Sequence, residues 1–182
     1  MKGSGIQSDT PMYECEGQRI NAGWVTTFND HAVVSENRVT KISSITDMKI
    51  GALFGCAVTT GVGVVMNEAD IKPHHSVVVY GCGGVGLFVR QAVRLKHPKQ
   101  IIAVDINDEA LTLAESFGAS TVINASRNDP VETILGLTEN NGAERVIITT
   151  GNKSAIETAI ETLSIPGEGI QVGVPVVGEK IC

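Results

Sequence analysis

The sequence predicts an α/β protein, in which a doubly wound parallel sheet carries helices on both faces and follows a β-rich segment. From residue 76 to residue 182, short β-branched runs alternate with stretches of helical period, and no stretch is repeated. Such alternation is typical of strand-helix-strand units, and it predicts a parallel sheet of strand order 3-2-1-4-5. We expect strands at 76–80, 100–106, 121–124, 145–150 and 169–174, and helices at 84–96, 108–117, 130–138 and 154–163.

Residues 1–46 differ from the rest of the chain, because short β-rich pieces there are separated by polar turns. The expected strands are at 18–21, 24–28, 32–35 and 38–42. A segment of this size cannot bury a core by itself, so we expect it to be the end of a larger β domain. Residues 47–75 are expected to connect the two parts through a short helix, capped by Asp47 or Thr46, and a second helical segment at 56–67.

Composition excludes several classes of function. The chain has 182 residues, 42% of them hydrophobic, and a formal net charge of -6; an acidic chain without a basic tract argues against nucleic acid as a partner. The sequence contains neither a membrane-length apolar run nor a signal peptide, so we expect no membrane partner and a cytoplasmic location. Its four cysteines include no C-x-x-C pair, which predicts reduced thiols.

The predicted sheet ends in an apolar stretch. Val172, Val174, Val176 and Val177 follow one another before Cys182, at the place where a sheet of this kind commonly continues into a sixth strand. An apolar sheet edge favours pairing with another chain. We therefore expect a homodimer that forms through this edge.

The glycines after the first predicted strand form a dinucleotide-binding pattern, Gly81-x-Gly83-Gly84-x-Gly86. In this pattern the first glycine makes a tight turn, the second lets the backbone approach a pyrophosphate, and the third lets the helix pack on the strand. Backbone N–H groups at the following helix start are suited to bind phosphates. The preceding β-branched strand and the following amphipathic segment complete the pattern, which predicts a Rossmann domain.

An acidic residue stands where this pattern requires one. Asp105 ends the apolar run 101–104, about 20 residues beyond the glycines. Its carboxylate is suited to accept hydrogen bonds from both adenosine ribose hydroxyls and would repel a 2′-phosphate. Because neither Ile106 nor Asn107 is basic, we expect NAD rather than NADP, with Asp105 and Ile106 at the cofactor. The alternative is an aspartate that only caps the next turn.

A second motif, Gly55-Cys56 followed by Thr60-Gly61, precedes the glycine loop, and further matching stretches cover nearly the whole chain. They are residues 13–18, 28–39, 54–61, 71–73, 77–87, 101–107 and 117–119. Together they resemble the medium-chain, zinc-dependent alcohol dehydrogenases. The resemblance implies that residues 1–46 are the remnant of a GroES-like catalytic domain and that residues 76–182 are the NAD-binding Rossmann domain.

The resemblance also implies roles for individual residues. Cys56 matches one of three protein ligands to a catalytic zinc, and Thr60 matches a residue beside the nicotinamide. Val85 would line the cofactor site. The strand ends around the cofactor are matched by Thr149, Thr150, Gly151, Val172 and Val174, in keeping with ligand binding at the carboxyl ends of strands in open α/β sheets.

The chain departs from the family pattern at the metal. In the family, the other catalytic ligands are a cysteine and a histidine followed by a glutamate, and they come from upstream sequence that this chain lacks. The family's structural zinc lobe, which has four cysteines, is also absent from this sequence. Catalytic zinc needs about three protein ligands and an open position, so Cys56 alone cannot hold it. We expect NAD as the cofactor, and zinc in a longer parent protein. Ala110 replaces a Lys or Arg that many relatives place near the adenosine ribose.

The function expected from the resemblance is oxidoreduction, with hydride passing between a small-molecule alcohol or carbonyl substrate and NAD. No complete catalytic set is present in the sequence, so the chain alone is expected to be inactive. An alternative is a module that binds NAD without turnover. A methyltransferase is disfavoured by the complete glycine pattern and by the segment from Cys56 to Gly61.

Four other side chains have both a functional and a structural interpretation. Cys56 is either a zinc ligand of a longer parent or a buried apolar residue. Cys82, at a helix N-terminus, is either a reactive thiol or a spacer. His74 and His75 could form a metal site or a proton relay, but we expect them in a solvated turn.

Overall fold

The computed structural model describes residues 13–20, 30–31, 34, 36–176, 178 and 180–181. The chain divides into two compact units, Met1–Thr46 and Asp47–Cys182. In the first unit, strands β1 (Tyr13–Cys15) and β2 (Gln18–Ile20) form an antiparallel hairpin. At its turn Glu16 and Gly17 have φ angles of 51° and 77°, which is the left-handed region that a two-residue hairpin turn of this type requires.

One β prediction in the first unit is wrong. A 3₁₀ turn occupies Glu36–Arg38, and residues 39–43 form no strand. Val39 and Ile42 are largely exposed, and no described strand lies alongside to complete a ladder, which a strand of this length needs for stability. The strand expected at 24–28 lies outside the described residues, as does all of 32–35 except residue 34.

The second unit begins with helical turns. Helix α1 (Met48–Gly51) is followed by a 3₁₀ turn (Ala52–Gly55), helix α2 (Ala57–Gly63) and a π turn (Val64–Glu68). The Asp47 side chain caps α1 by accepting the Lys49 N–H at 2.8 Å. Among the described residues no single helix could cross a membrane; only the bent pair Met48–Gly55 and Ala57–Glu68, at 50°, meets the criteria of length and composition.

The rest of the second unit alternates strands and helices, as expected. Its elements are β3 (Ser76–Tyr80), α3 (Gly84–Arg94), β4 (Gln100–Asp105), α4 (Asp108–Ser116), β5 (Thr121–Asn124), α5 (Pro130–Leu137), β6 (Ala143–Ile148), α6 (Lys153–Glu161) and β7 (Leu163–Gln171). The sheet order is β5-β4-β3-β6-β7, with every pairing parallel. The predicted Rossmann-type order 3-2-1-4-5 is therefore confirmed.

The boundaries of the last helix and strand differ from the prediction. Helix α6 ends at Glu161, and β7 begins at Leu163 rather than at residue 169. The ladder ends early because the N–H groups of Val172 and Gly173 both donate to one carbonyl, that of Ile148. The apolar residues that were expected within the strand, Val172 and Val174, therefore lie just beyond it.

The core occupies both faces of the sheet because successive residues of β3 point to opposite sides. Val78 and Tyr80 pack against α5 and α6 on one face, whereas Val77 and Val79 pack towards α2 and α3 on the other. All five residues of β3 are buried. The central strand β3 is thus packed on both faces. Its carboxyl end lies at the edge of the sheet where β4 and β6 also end.

At the opposite edge, His75 differs from its predicted solvated state. It is only 6% exposed, and its Nδ1 accepts the Lys72 N–H at 3.1 Å. Burial lowers the pKa of His75, and the charges of Arg145 and His74 lower it further, against the opposing effect of Glu144 and Asp70. The folded protein therefore favours the neutral imidazole, whereas His74 is exposed as expected.

We expect His75 to make stability depend on pH. Because its pKa in the folded state lies below the ordinary value of 6.5, the unfolded chain takes up the proton first as pH falls, and stability decreases below about pH 6.5. The loss between pH 7.5 and 5.5, measured by urea unfolding, should be smaller in His75→Gln than in wild type. His74→Gln is the control and should retain most of the wild-type loss, because the charge of His74 affects the His75 pKa less than burial does; an unchanged loss in His75→Gln would contradict the assignment.

Candidate functional site

The glycine loop joins β3 to α3 at the carboxyl edge of the sheet. Gly81 has a φ of 93°, a conformation that favours glycine, and a Cβ there would lie 2.6 Å from Thr149 Oγ1. A Cβ on Gly86 would overlap the Gly81 carbonyl oxygen. The Thr149 hydroxyl is within donor distance of two loop carbonyls, Tyr80 O at 2.9 Å and Gly81 O at 3.1 Å. The turn is therefore closely packed against α3 and β6.

The middle of the glycine loop has free space, whereas Gly81 and Gly86 at its two ends are crowded. A Cβ on Gly83 would meet no atom within 4 Å. Gly83 precedes α3, and no side chain caps that helix. The first N–H groups of a helix carry partial positive charge and need acceptors. This end of α3 is therefore accessible to an anion, as the glycine pattern predicts.

Asp105 lies directly against the glycine loop. Its Oδ2 accepts the Cys82 N–H at 2.6 Å, and its Oδ1 accepts the N–H groups of Ile106 at 2.7 Å and Asn107 at 2.9 Å. A carboxylate has about four lone-pair sites, so these three bonds leave further acceptor capacity. The bonds also hold the carboxylate in one orientation at the end of β4. The structure thus brings Asp105 and the loop together, as the sequence predicted.

A cavity of about 260 Å³ opens beside them at the carboxyl ends of β3, β4 and β6. Four of the residues predicted at the cofactor line it: Gly81, Asp105, Ile106 and Thr150. Sequence reasoning missed the other lining residues, which are Tyr80, Val104, Ala125, Pro130, Asn152, Ser154, Ala155 and Thr158. Two of them, Ala125 and Asn152, lie within two residues of the ends of the predicted third and fourth strands, and that position was the signal that could have identified them.

The ends of β6 and β7 are in close backbone contact. A Cβ on Gly151 would overlap the Val174 carbonyl oxygen, and a Cβ on Gly173 would overlap the backbone of Thr150. The Val172 side chain packs against the buried face of the sheet, whereas Val174 is 86% exposed. Of these two predicted residues, Val174 is the more exposed.

The remaining predicted residues lie near the contact between α2 and the start of α3. A Cβ on Gly61 would be 2.7 Å from the Val85 carbonyl oxygen, so α2 contacts the first turn of α3. Thr60, beside Gly61, is half-buried, and Cys56 at the start of α2 is exposed. None of Cys56, Thr60 and Val85 lines the cavity beside Asp105.

Comparison with known proteins identifies the family. The sequence profile of the zinc-binding dehydrogenases matches residues 84–181. The chain belongs to this family. The S-(hydroxymethyl)glutathione dehydrogenase of Synechocystis sp. is 32% identical over 184 residues, which cover 99% of this chain and 50% of that protein. The corresponding dehydrogenase of Escherichia coli strain SMS-3-5 is 33% identical over the same span.

Solved structures agree with the fold. Benzyl alcohol dehydrogenase from Acinetobacter calcoaceticus superposes with a TM-score of 0.76 at 32% identity and covers 83% of this chain and 41% of its own. The alcohol dehydrogenase TADH from Thermus sp. ATN1 gives a TM-score of 0.69 at 26% identity. The chain is thus similar to medium-chain, zinc-dependent alcohol dehydrogenases, and it spans about half the length of the curated relatives it matches.

The described residues of this chain do not fit a zinc ion. They contain no group of three or more His, Cys, Asp or Glu side chains placed to hold a metal, and three protein ligands are what catalytic zinc needs. Cys56 is exposed, so the interpretation of a buried apolar cysteine is wrong. No chemical step is derived through zinc for this chain.

Cys82 is not the reactive thiol that its position at a helix N-terminus suggested as one interpretation. It is only 2% exposed, and burial raises its pKa to about 11. Arg90 acts in the opposite direction, but burial is the larger effect. Cys82 packs with Ala103, Leu111 and Ala114, which agrees with its interpretation as an apolar spacer.

Proposed function

We propose that this chain is the NAD-binding half of a medium-chain, zinc-dependent alcohol dehydrogenase. The proposal rests on one observation: an open glycine at the start of α3 lies next to a fixed carboxylate and a cavity, all at one edge of the sheet. The clear space at Gly83 and the bond from Cys82 N–H to Asp105 define this arrangement. It fits a dinucleotide, whose diphosphate, ribose and adenine need an anion site, a hydroxyl acceptor and an apolar recess.

Each part of the site has a distinct role in this proposal. The N–H groups at the start of α3 bind the diphosphate, and Asp105 accepts hydrogen bonds from the adenosine ribose. The cavity lined by Ile106 and Thr150 takes the adenine, shielded from water by their aliphatic groups. Thr60, Val85 and Val174 are proposed at the nicotinamide end. Bound NAD supplies the hydride acceptor for alcohol oxidation.

The substrate we propose is a small-molecule alcohol or its carbonyl product. Relatives of the chain are dehydrogenases of S-(hydroxymethyl)glutathione and of benzyl alcohol, which supports this class. A second candidate is a module that binds NAD without turnover. It is favoured by the lack of a three-ligand metal group among the described residues, because the parent reaction uses zinc to polarise the substrate oxygen.

A calorimetric titration with NADH and NADPH, on protein whose zinc content has been measured by elemental analysis, tests the proposal. NADH should bind in a one-to-one ratio and more tightly than NADPH. Alcohol oxidation with stoichiometric zinc would support the dehydrogenase, and NADH binding without zinc or turnover would support the second candidate. Absence of binding by either nucleotide would refute both.

We also propose that the protein is a cytoplasmic homodimer without nucleic-acid or membrane partners. In the described part of the chain β7 pairs only with β6, and Ile165, Val174 and Val176 nearby are exposed. Apolar residues beside an open sheet edge favour pairing between chains. Light scattering should give twice the chain mass of 19.1 kDa; a monodisperse monomer would contradict the dimer.

A further inference from the structure

Arg90 is a fully buried cation beneath the glycine loop. It lies on α3 with no exposed surface, and its Nη1 lies 3.4 Å from the Gly81 carbonyl oxygen and 3.3 Å from Cys82 Sγ. Its Nε and Nη2 have no hydrogen-bond partner among the described residues. A buried charge is costly unless it is paired, and a guanidinium with two unused donors is therefore an unusual component of a core.

The described surroundings compensate this charge only in part. Burial lowers the pKa of Arg90, while Cys82 and Asp105 act in the opposite direction. Cys82 is a weak partner, because its own pKa of about 11 keeps the thiol protonated near neutral pH. Asp105 already accepts three backbone N–H groups. The loop between Gly81 and Gly86 therefore lies over positive charge that is not fully neutralised.

We infer that Arg90 is a positioning and affinity residue for the diphosphate of a nucleotide, acting from below the glycine loop. The inference rests on the proposed function and deepens it. The open side of the loop at Gly83 is where an anion can approach, while Arg90 reaches the same loop from inside at Gly81 and Cys82. Charges interact more strongly in the protein interior than in water. A bound diphosphate would thus gain attraction from Arg90 without touching it.

The test compares ADP with adenosine, which share the base and ribose and differ in the diphosphate. Both affinities are measured by calorimetric or NMR titration for wild type, Arg90→Met and Arg90→Lys. In Arg90→Met we expect ADP to bind about tenfold more weakly and adenosine to change less than twofold, because only the anion interacts with the missing charge. Arg90→Lys keeps the charge and should retain most of the wild-type preference for ADP.

Thermal unfolding of the ligand-free protein distinguishes this role from a structural one. Replacement of a poorly paired buried ion by an apolar side chain is often neutral or stabilising, so Arg90→Met should melt no lower than wild type while it loses ADP affinity. If Arg90→Met fails to fold, Arg90→Gln provides the neutral chain for comparison with Arg90→Lys.

Two outcomes would overturn the inference and leave the proposed function intact. They are an unchanged ratio of ADP to adenosine affinity in the neutral variants, or an equal loss for both ligands. Wild-type protein that binds neither NADH nor ADP would instead refute the proposed function, and the role of Arg90 with it.

Discussion

Replacement of Gly86 by alanine should lower the free energy of unfolding by about 3 kcal/mol, the upper end of the usual cost of overpacking a core. The added Cβ would overlap the Gly81 carbonyl oxygen and would lie 3.0 Å from Thr149 Oγ1. Neither atom can retreat freely, because the Thr149 hydroxyl and the Gly81 oxygen are within hydrogen-bonding distance of each other. Urea unfolding followed by circular dichroism measures the loss.

Gly136→Ala is the matched control for this change. Gly136 lies inside α5, and a Cβ there would meet no atom within 4 Å. Alanine is a better helix former than glycine by about 1 kcal/mol, so this variant should equal or exceed the wild type in stability. If the two variants had equal stability, the close approach of the two loop ends would be contradicted.

Replacement of Asp105 by asparagine should weaken NADH binding about 10-fold to 100-fold, since hydrogen bonds to a charged group contribute about 1.5–3 kcal/mol. The amide cannot repel a 2′-phosphate as the carboxylate does, so NADPH should lose less affinity than NADH, and the ratio of the two dissociation constants should move towards one. The asparagine NH₂ group would also face the Cys82 N–H, which now donates to Oδ2, and stability should fall by about 1–3 kcal/mol.

The control for this change is Glu109→Gln. Glu109 lies in the first turn of α4, four residues beyond Asp105, and is exposed. The Glu109→Gln variant loses one negative charge from the same region as Asp105→Asn. Its affinity for NADH should remain within about twofold of wild type, because Glu109 does not line the cavity. An equal loss of affinity in both variants would mean that Asp105 acts only through net charge.

The sequence was most informative where function depends on backbone geometry within a few consecutive residues. The spacing of Gly81, Gly83 and Gly86 predicted which positions are crowded and which is open, because each follows from the path of one turn. Asp105 was predicted from its distance along the chain to that turn. The strand order followed from the regular alternation of strands and helices, for which few parallel topologies are available.

Features that depend on packing between distant elements were not predictable in the same way. Arg90 lies within the helix expected at 84–96, and nothing in the sequence analysis indicated its burial, which results from the loop at Gly81 and Cys82 lying over it. His75 was expected in solvent but is covered by its surroundings in the folded unit. The end of β7 also depends on where its neighbour β6 stops. Only the folded backbone shows which residues these contacts enclose.

The glycine contacts between the ends of β6 and β7 have a mechanical consequence. Since Gly151 and Gly173 each leave no room between the two backbones, displacement of one segment must push the other. A ligand that settles against Thr150 would therefore restrain residues 172–174 as well, although Val174 lies outside the cavity. Amide hydrogen exchange should slow in both segments together when NADH binds, so that the two strand ends report a single opening event.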